Sequence, residues 1–161
     1  MTNRSRILDY LWRFMRYINP RLLGRFRAGK SPSQMILLLT NTGRKTGFSR
    51  VTPLQFEDVN GIYYVASARG VNADWYRNIL VNPEVQVEVA GDQFTAKAEA
   101  ITDAARIADF LEIRLERHPR MIRAMLRLEG MPPKFTRFEL EEFSREKALV
   151  ALQPYTTNND V

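Results

Sequence analysis

Residues 84–101 read EVQVEVAGDQFTAKAEAI, and their pattern decides the fold class. Apolar and polar residues alternate in both halves of the stretch, which is the period of a β-strand with one buried face. The Gly91–Asp92 pair between the halves is typical of a tight turn. The stretch therefore predicts two antiparallel strands, 84–90 and 93–101, joined as a hairpin. A lone hairpin is marginally stable in water, so further strands must complete the sheet.

Four more segments have the composition of short strands: 35–40, 50–57, 62–67 and 147–154. Pro53 suggests that the second of these is an edge strand or contains a bulge. Helical periodicity predicts helices over 5–19, over 72–80 with Asn72 as its cap, over 102–118 with Thr102 or Asp103 as its cap, and over 119–128. Residues 129–144 are left as a connection of undefined form. Six short, mostly antiparallel strands with inserted helices predict an α+β fold built on a small β-barrel.

The basic charge of the chain is concentrated in its first thirty residues. The net charge is +6, and residues 1–30 hold eight cations and one acid. This divides the chain into a basic amphipathic helix with its connection (1–30), a barrel domain (31–154) and a tail (155–161). The helix either packs on the barrel or lies on an anionic membrane surface, and the sequence leaves both open. With no apolar stretch of membrane-spanning length and no signal peptide, the expected location is cytoplasmic, with peripheral contact at the inner face of the cell membrane as the further possibility.

Composition excludes several kinds of chemistry. The chain has no cysteine and one histidine, His118, which excludes thiol chemistry and argues against a histidine metal site or a Ser–His relay. We therefore assign neither a metal site nor a catalytic side chain. No dinucleotide or P-loop glycine pattern is present. The predicted strands carry Glu84, Glu88 and Glu99, which argues against nucleic-acid binding. The oligomeric state is left open.

The segment TNTGRKTGFSR, residues 40–50, carries the strongest functional signal. Gly43 and Gly47 permit positive φ and a close backbone approach, so successive N–H groups could face one concavity that holds an anion. Arg44, Lys45 and Arg50 supply positive charge, and Arg69 lies in a second glycine-containing loop. A basic, soluble hairpin explains the same residues. Composition and spacing alone do not decide between the two interpretations.

Longer stretches of the chain resemble a known family. LLLTNTGRKTGFSRVTPLQF (37–56), YYVASARG (63–70), DWYRNILVNPEVQVEVAGDQFTAKA (74–98) and ALVALQP (148–154) resemble the deazaflavin-dependent nitroreductases, also described as coenzyme F420-dependent quinone reductases. The resemblance runs in order over about residues 35–118 and again over 147–154. It implies a split β-barrel that binds coenzyme F420, a deazaflavin with a phosphate and oligoglutamate tail. The implied activity is hydride transfer to a quinone-like, nitro or other conjugated, electron-poor small molecule.

The resemblance also implies a set of cofactor-binding residues. Three would hold the phosphate and the acidic tail, with a fourth beside them: Arg44, Lys45, Thr46 and Arg50. Five would line the ring and the ribityl chain: Val51, Thr52, Pro53, Leu54 and Gln55. Four would form the facing strand end: Ala66, Ser67, Ala68 and Arg69. Five would close the pocket from a short helix: Asp74, Trp75, Tyr76, Arg77 and Asn78.

The chain departs from the family where the substrate is expected. The family has several tyrosines after the long helix, whereas this chain has HPRMIRAM (118–125), with His118 and Met121 at two of those positions. These two residues are the predicted substrate contacts, and nitroimidazole reduction is not carried over. Two alternatives stay open: an oxidoreductase of the same fold that uses FMN, and a non-catalytic barrel that binds a flavin, a tetrapyrrole or a lipid.

Overall fold

The computed structural model describes residues 36–155, so the predicted N-terminal helix and the end of the tail lie outside the described residues. Within that range six strands form a closed antiparallel barrel in the order β1-β2-β3-β6-β5-β4. The strands are β1 (Ile36–Thr42), β2 (Ser49–Val59), β3 (Ile62–Ser67), β4 (Glu84–Val89), β5 (Asp92–Ile101) and β6 (Ala148–Pro154). The predicted barrel is therefore confirmed, and strand ends differ from the prediction by one or two residues.

Four α-helices accompany the barrel in the described part of the chain: α1 (Asp74–Val81), α2 (Ala104–Arg117), α3 (Pro119–Leu128) and α4 (Arg137–Ser144). Asp103 caps α2 as predicted, since its side chain accepts a hydrogen bond from the Arg106 N–H. No helix among residues 36–155 is both long and apolar enough to cross a bilayer.

The structure corrects two local predictions. Asn72 does not cap α1, because the helix begins at Asp74 after Ala73, and Asn72 ends a 3-10 turn over Gly70–Asn72. The second correction is α4, which lies within the stretch left as a connection. Its start is a capping box in which Thr136 and Glu139 bond to each other's backbone N–H groups. This Thr-x-x-Glu spacing is visible in the sequence and could have predicted the helix.

The core has two parts that face opposite sides of the barrel wall. One fills the barrel interior, with Leu37, Leu39, Val65 and Val150 fully buried and α1 closing one end. The other packs α2, α3 and α4 against the outer wall through side chains such as Leu126. Alternation along the strands produces both, because successive side chains point to opposite faces.

The pairing of β2 changes partway along the strand. Residues 49–55 of β2 pair with β1, whereas residues 56–59 pair with β3. Among the described residues, the β2–β3 ladder stops at the Phe56–Val65 pair. Beyond it, β3 continues along β6 through Ala66 and Ser67. Pro53 lies in the part of β2 that pairs only with β1, as expected for a residue without an N–H group. We call the change of partner between Gln55 and Phe56 the ladder break.

Candidate functional site

The loop between β1 and β2 is a tight turn that satisfies its own backbone. The Gly43 N–H donates to the Phe48 carbonyl and the Gly47 N–H donates to the Gly43 carbonyl, both at 2.8 Å. Gly47 has φ +72°, and a Cβ on Gly43 would lie 2.8 Å from the Thr46 hydroxyl. The positive φ thus favours glycine at position 47, and a side chain at position 43 would force the Thr46 hydroxyl to move. The N–H groups of residues 43, 44, 47 and 48 all donate hydrogen bonds within the protein. The prediction that these N–H groups face a concavity and hold an anion is therefore wrong.

Arg44 holds this loop against α1. Its backbone N–H and one guanidinium nitrogen donate to the Asn78 side-chain oxygen at 3.1 and 2.9 Å. The other terminal nitrogen forms an ion pair with Asp74 at 3.1 Å, and the Arg44 side chain is only 19% exposed. We call Arg44, Asp74 and Asn78 the Arg44 clamp. Three predicted cofactor residues are thus brought together, but they bind one another.

A buried amide pair extends the clamp into the barrel. Asn41, 3% exposed, donates to the Trp75 backbone carbonyl at 3.0 Å. The Asn78 amide in turn donates to the Asn41 oxygen at 3.4 Å. Buried polar side chains are costly unless they are hydrogen-bonded, so this pair fixes α1 to β1 in one position. Asn41 was not among the predicted site residues, although a polar residue within the apolar run of β1 is a signal of a buried hydrogen bond.

The other cations of the segment are exposed. Lys45 and Arg50 lie at the surface of the loop and at the start of β2, and Arg69 follows β3. Thr46 is also exposed, and its hydroxyl accepts from the Phe48 N–H at 3.3 Å. Exposed cations can meet an anionic ligand without first breaking a buried ion pair. Positive charge therefore remains available on the side chains of the loop.

The predicted ring-binding segments lie on the two sides of the ladder break. Residues 50–55 belong to the part of β2 without β3 as a partner, and residues 66–69 follow the last β2–β3 pair. Side chains alternate here: Leu54 points into the barrel core, while Gln55 is exposed. The Ser67 hydroxyl is buried and donates to the Gly70 carbonyl at 2.7 Å. Of these predicted residues, Leu54 and Ser67 thus have structural roles.

The aromatic residues of α1 lie inside the barrel. Trp75 and Tyr76 are 8% and 2% exposed and belong to the barrel core. Burial raises the pKa of the Tyr76 hydroxyl above its ordinary value, because the charged form would lose solvation. Arg77 holds the preceding turn, donating to the Val71 carbonyl and to the Asn72 side chain. The side chains of Trp75 and Tyr76 therefore close the barrel end.

A charged cluster lies beyond the ladder break, on the face of β2 that α2 covers. Glu57, 5% exposed, lies 3.5 Å from Arg114, 3.2 Å from Arg117 and 3.0 Å from the Nε2 atom of His118. Arg114 is 4% exposed, and burial lowers the pKa of its guanidinium while the Glu57 charge opposes that change. We call these four residues the Glu57 cluster.

Glu57 and Arg114 were not among the predicted site residues. Arg114 continues the buried face of α2, three residues after Leu111 and four after Phe110. A charge at a position of the apolar stripe was a signal of burial. The predicted substrate residue His118 joins α2 to α3 and is 32% exposed, and Met121 is 38% exposed. The structure places His118 in the Glu57 cluster.

Comparison with known proteins identifies related chains. A sequence profile described as F420H(2)-dependent quinone reductase matches residues 15–125. Protein Rv3178 of Mycobacterium tuberculosis is 36% identical over 77 residues, 46% of this chain and 65% of the relative. The F420H(2)-dependent quinone reductase Rv1261c of the same species is 32% identical over 76 residues, 45% of this chain and 49% of the relative. The chain thus spans about half to two thirds of the length of these relatives.

A solved structure supports the fold. The F420-H2 dependent reductase FDR-A matches with a TM-score of 0.50 and 21% identity, over 73% of this chain and 93% of that chain. Identity at this level shows a shared fold and nothing about activity. The sequence profile covers most of the barrel, including the loop, both sides of the ladder break and α1. The chain belongs to the F420H(2)-dependent quinone reductase family.

Proposed function

We propose that the protein binds reduced coenzyme F420 and uses it to reduce a quinone-like or other conjugated, electron-poor small molecule. Family membership and the name of the relative Rv1261c support this function. The observation that carries it is the β1–β2 loop, where Arg44 fixes the backbone while Lys45 and Arg50 stay exposed. A rigid loop with exposed cations suits a ligand with an acidic tail.

The residues present fit the cofactor at the level of their chemistry. The tail of coenzyme F420 carries a phosphodiester and glutamate carboxylates, and the loop offers cationic side chains and the Thr46 hydroxyl. The bound deazaflavin supplies the hydride, and the protein supplies position and exclusion of water. Lys45, Arg50 and Arg69 would bind the tail. The ring would lie along the ladder break, between residues 51–55 and 66–68.

This proposal changes the role of several predicted cofactor residues. Arg44, Asp74 and Asn78 position the loop through the Arg44 clamp. Trp75 and Tyr76 support α1 from inside the barrel. These residues influence cofactor affinity because they hold the loop and the helix in place. The exposed cations bind the acidic tail of the cofactor. His118 and Met121 remain the proposed acceptor contacts.

A binding experiment separates tail recognition from ring recognition. Fluorescence titrations would measure the affinity of reduced coenzyme F420 and of the same deazaflavin without its phosphate and glutamate tail. The double variant Lys45→Ala/Arg50→Ala should bind the full cofactor at least tenfold more weakly, since hydrogen bonds to charged groups contribute about 1.5–3 kcal/mol each. Its affinity for the tailless molecule should match that of the wild type.

The control is Lys134→Ala, which removes one exposed cation from the connection before α4. It should leave both affinities unchanged. Equal affinity of the double variant and the wild type for the full cofactor would refute the assignment of the tail. Titration of FMN into the same protein tests the alternative cofactor, and tighter binding of FMN than of coenzyme F420 would replace the proposal.

A further inference from the structure

The only histidine of the chain is paired with a buried carboxylate. Nε2 of His118 lies 3.0 Å from Oε1 of Glu57. Within residues 36–155, that oxygen has no hydrogen bond of good geometry, although the Arg114 and His118 side chains approach it. A buried acceptor without a bond is costly, so Glu57 favours the imidazole form that carries its proton on Nε2.

The same carboxylate is connected to the ladder break. Arg114 contacts Glu57 and also donates to the Gln55 side-chain oxygen at 3.3 Å. Gln55 and Glu57 lie on one face of β2, about 7 Å apart at the rise of a strand. The β2–β3 ladder ends between them, at Phe56. The Glu57 cluster thus lies next to the ladder break, along which the deazaflavin ring is proposed to lie.

The surroundings of His118 allow proton exchange with water. The imidazole is 32% exposed, whereas Glu57 is 5% exposed and is held by Arg114 and Arg117. Arg117 is fixed as well, because it donates to the Asp58 carbonyl at 2.7 Å. Arg114 and Arg117 of α2 thus contact the same carboxylate as the imidazole. One ring nitrogen is directed at the carboxylate, which leaves Nδ1 for a ligand or for water.

From this arrangement we propose that His118 donates a proton to the reduced acceptor and that Glu57 positions the imidazole ring of His118. The inference rests on the proposed function. A quinone that accepts a hydride becomes a hydroquinone anion and needs one proton. The Nδ1–H bond of the His118 imidazolium breaks, an O–H bond of the hydroquinone forms, and a proton from solvent returns to Nδ1. The acceptor is reduced by two electrons, the deazaflavin is oxidised, and the charge balances.

Nuclear magnetic resonance tests the positioning role in the cofactor-free protein. Because the chain has one histidine, its ring nitrogens give a single assigned set of signals. The wild type should show the neutral ring protonated on Nε2, and Glu57→Gln should change the tautomer ratio. The control Glu99→Gln alters an exposed carboxylate paired with Arg106 and should leave the ring signals unchanged. Identical spectra of Glu57→Gln and wild type would overturn the positioning role.

Kinetics test the proton transfer itself. His118→Gln should lower kcat for quinone reduction by about 100-fold, the lower end for general acid catalysis, with a nearly unchanged KM. It should also remove one limb of the pH profile of kcat, and added imidazole should restore activity to His118→Ala. The fold should tolerate both variants, because the hydrogen bonds that end α2 and begin α3 at this position come from the His118 backbone. Melting curves check this.

The outcomes separate this inference from the proposed function. If the wild type neither binds the deazaflavin nor reduces a quinone, the proposed function and the proton donor both fail. If the wild type is active and His118→Gln keeps its kcat within twofold, only the proton donor is refuted. A raised KM with unchanged kcat would show that His118 contacts the acceptor without donating a proton, which also refutes the inference.

Discussion

Replacing Asn78 by alanine should destabilise the protein and weaken cofactor binding together. Asn78 is 5% exposed and accepts two hydrogen bonds from Arg44, one from the backbone N–H and one from the guanidinium. A neutral hydrogen bond contributes about 0.5–1.5 kcal/mol and a charged one about 1.5–3 kcal/mol. Water can reach the guanidinium in part, because the Arg44 side chain is 19% exposed. We therefore expect a loss of about 2–3 kcal/mol in the free energy of unfolding.

Two measurements follow from this expectation. At roughly 3 °C per kcal/mol for a domain of this size, Tm should fall by about 6–9 °C. Urea unfolding gives the free energy directly, and deazaflavin titration gives the affinity. Asn82→Ala is the matched control, because Asn82 follows the same helix and its exposed side chain makes one long contact, at 3.3 Å, to the Glu84 N–H. It should change stability by no more than about 0.5 kcal/mol.

A double-mutant cycle identifies the partner. Arg44→Met removes the guanidinium bond to Asn78 and keeps the backbone one, so Arg44→Met and Asn78→Ala together should cost about 1–2 kcal/mol less than the sum of the single variants. Additive losses would refute the Arg44 clamp. If Asn78→Ala weakened cofactor binding without changing stability, Asn78 would be a direct cofactor contact, as the family resemblance implies.

Two further predictions concern the Glu57 cluster and the N-terminal segment. Arg114→Met should lower the free energy of unfolding in urea by about 3 kcal/mol, the lower end for a broken buried pair, because Arg117 and His118 still face Glu57. Adding Glu57→Gln should recover part of this loss. An Arg114→Met variant as stable as the wild type would contradict the prediction. If residues 1–30 bind anionic lipid, the full chain should sediment with phosphatidylserine vesicles and a chain starting at residue 31 should not, whereas equal binding would exclude the membrane role.

The alternation of residues 84–101 was sufficient to predict strands β4 and β5, although their turn lies at Ala90–Gly91, one residue before the predicted Gly91–Asp92. The Asn60–Gly61 pair between β2 and β3 is a turn signal of the same local kind. Both Asn60 and Gly61 have positive φ, as a two-residue hairpin turn requires. Such signals are local, because strand period and turn chemistry depend on neighbours in the chain. The same holds for α4, whose capping box was present in the sequence but was not used. For most of the described elements, the sequence therefore predicted the type of element and its approximate ends.

The contacts and burial of each charged residue depended on partners that are distant in the sequence. Arg44 and Lys45 are neighbours with the same charge, yet Arg44 meets Asn78, thirty-four residues away, and Lys45 is exposed. Arg114 and Glu57 are likewise brought together only when α2 packs against the outer wall of the barrel. Period and composition do not encode which residues of separate elements meet. By itself the sequence determined the barrel and a basic loop. The tertiary structure decided which cation of the loop is bound within the protein and which cations are exposed, because burial and contact partners follow from packing.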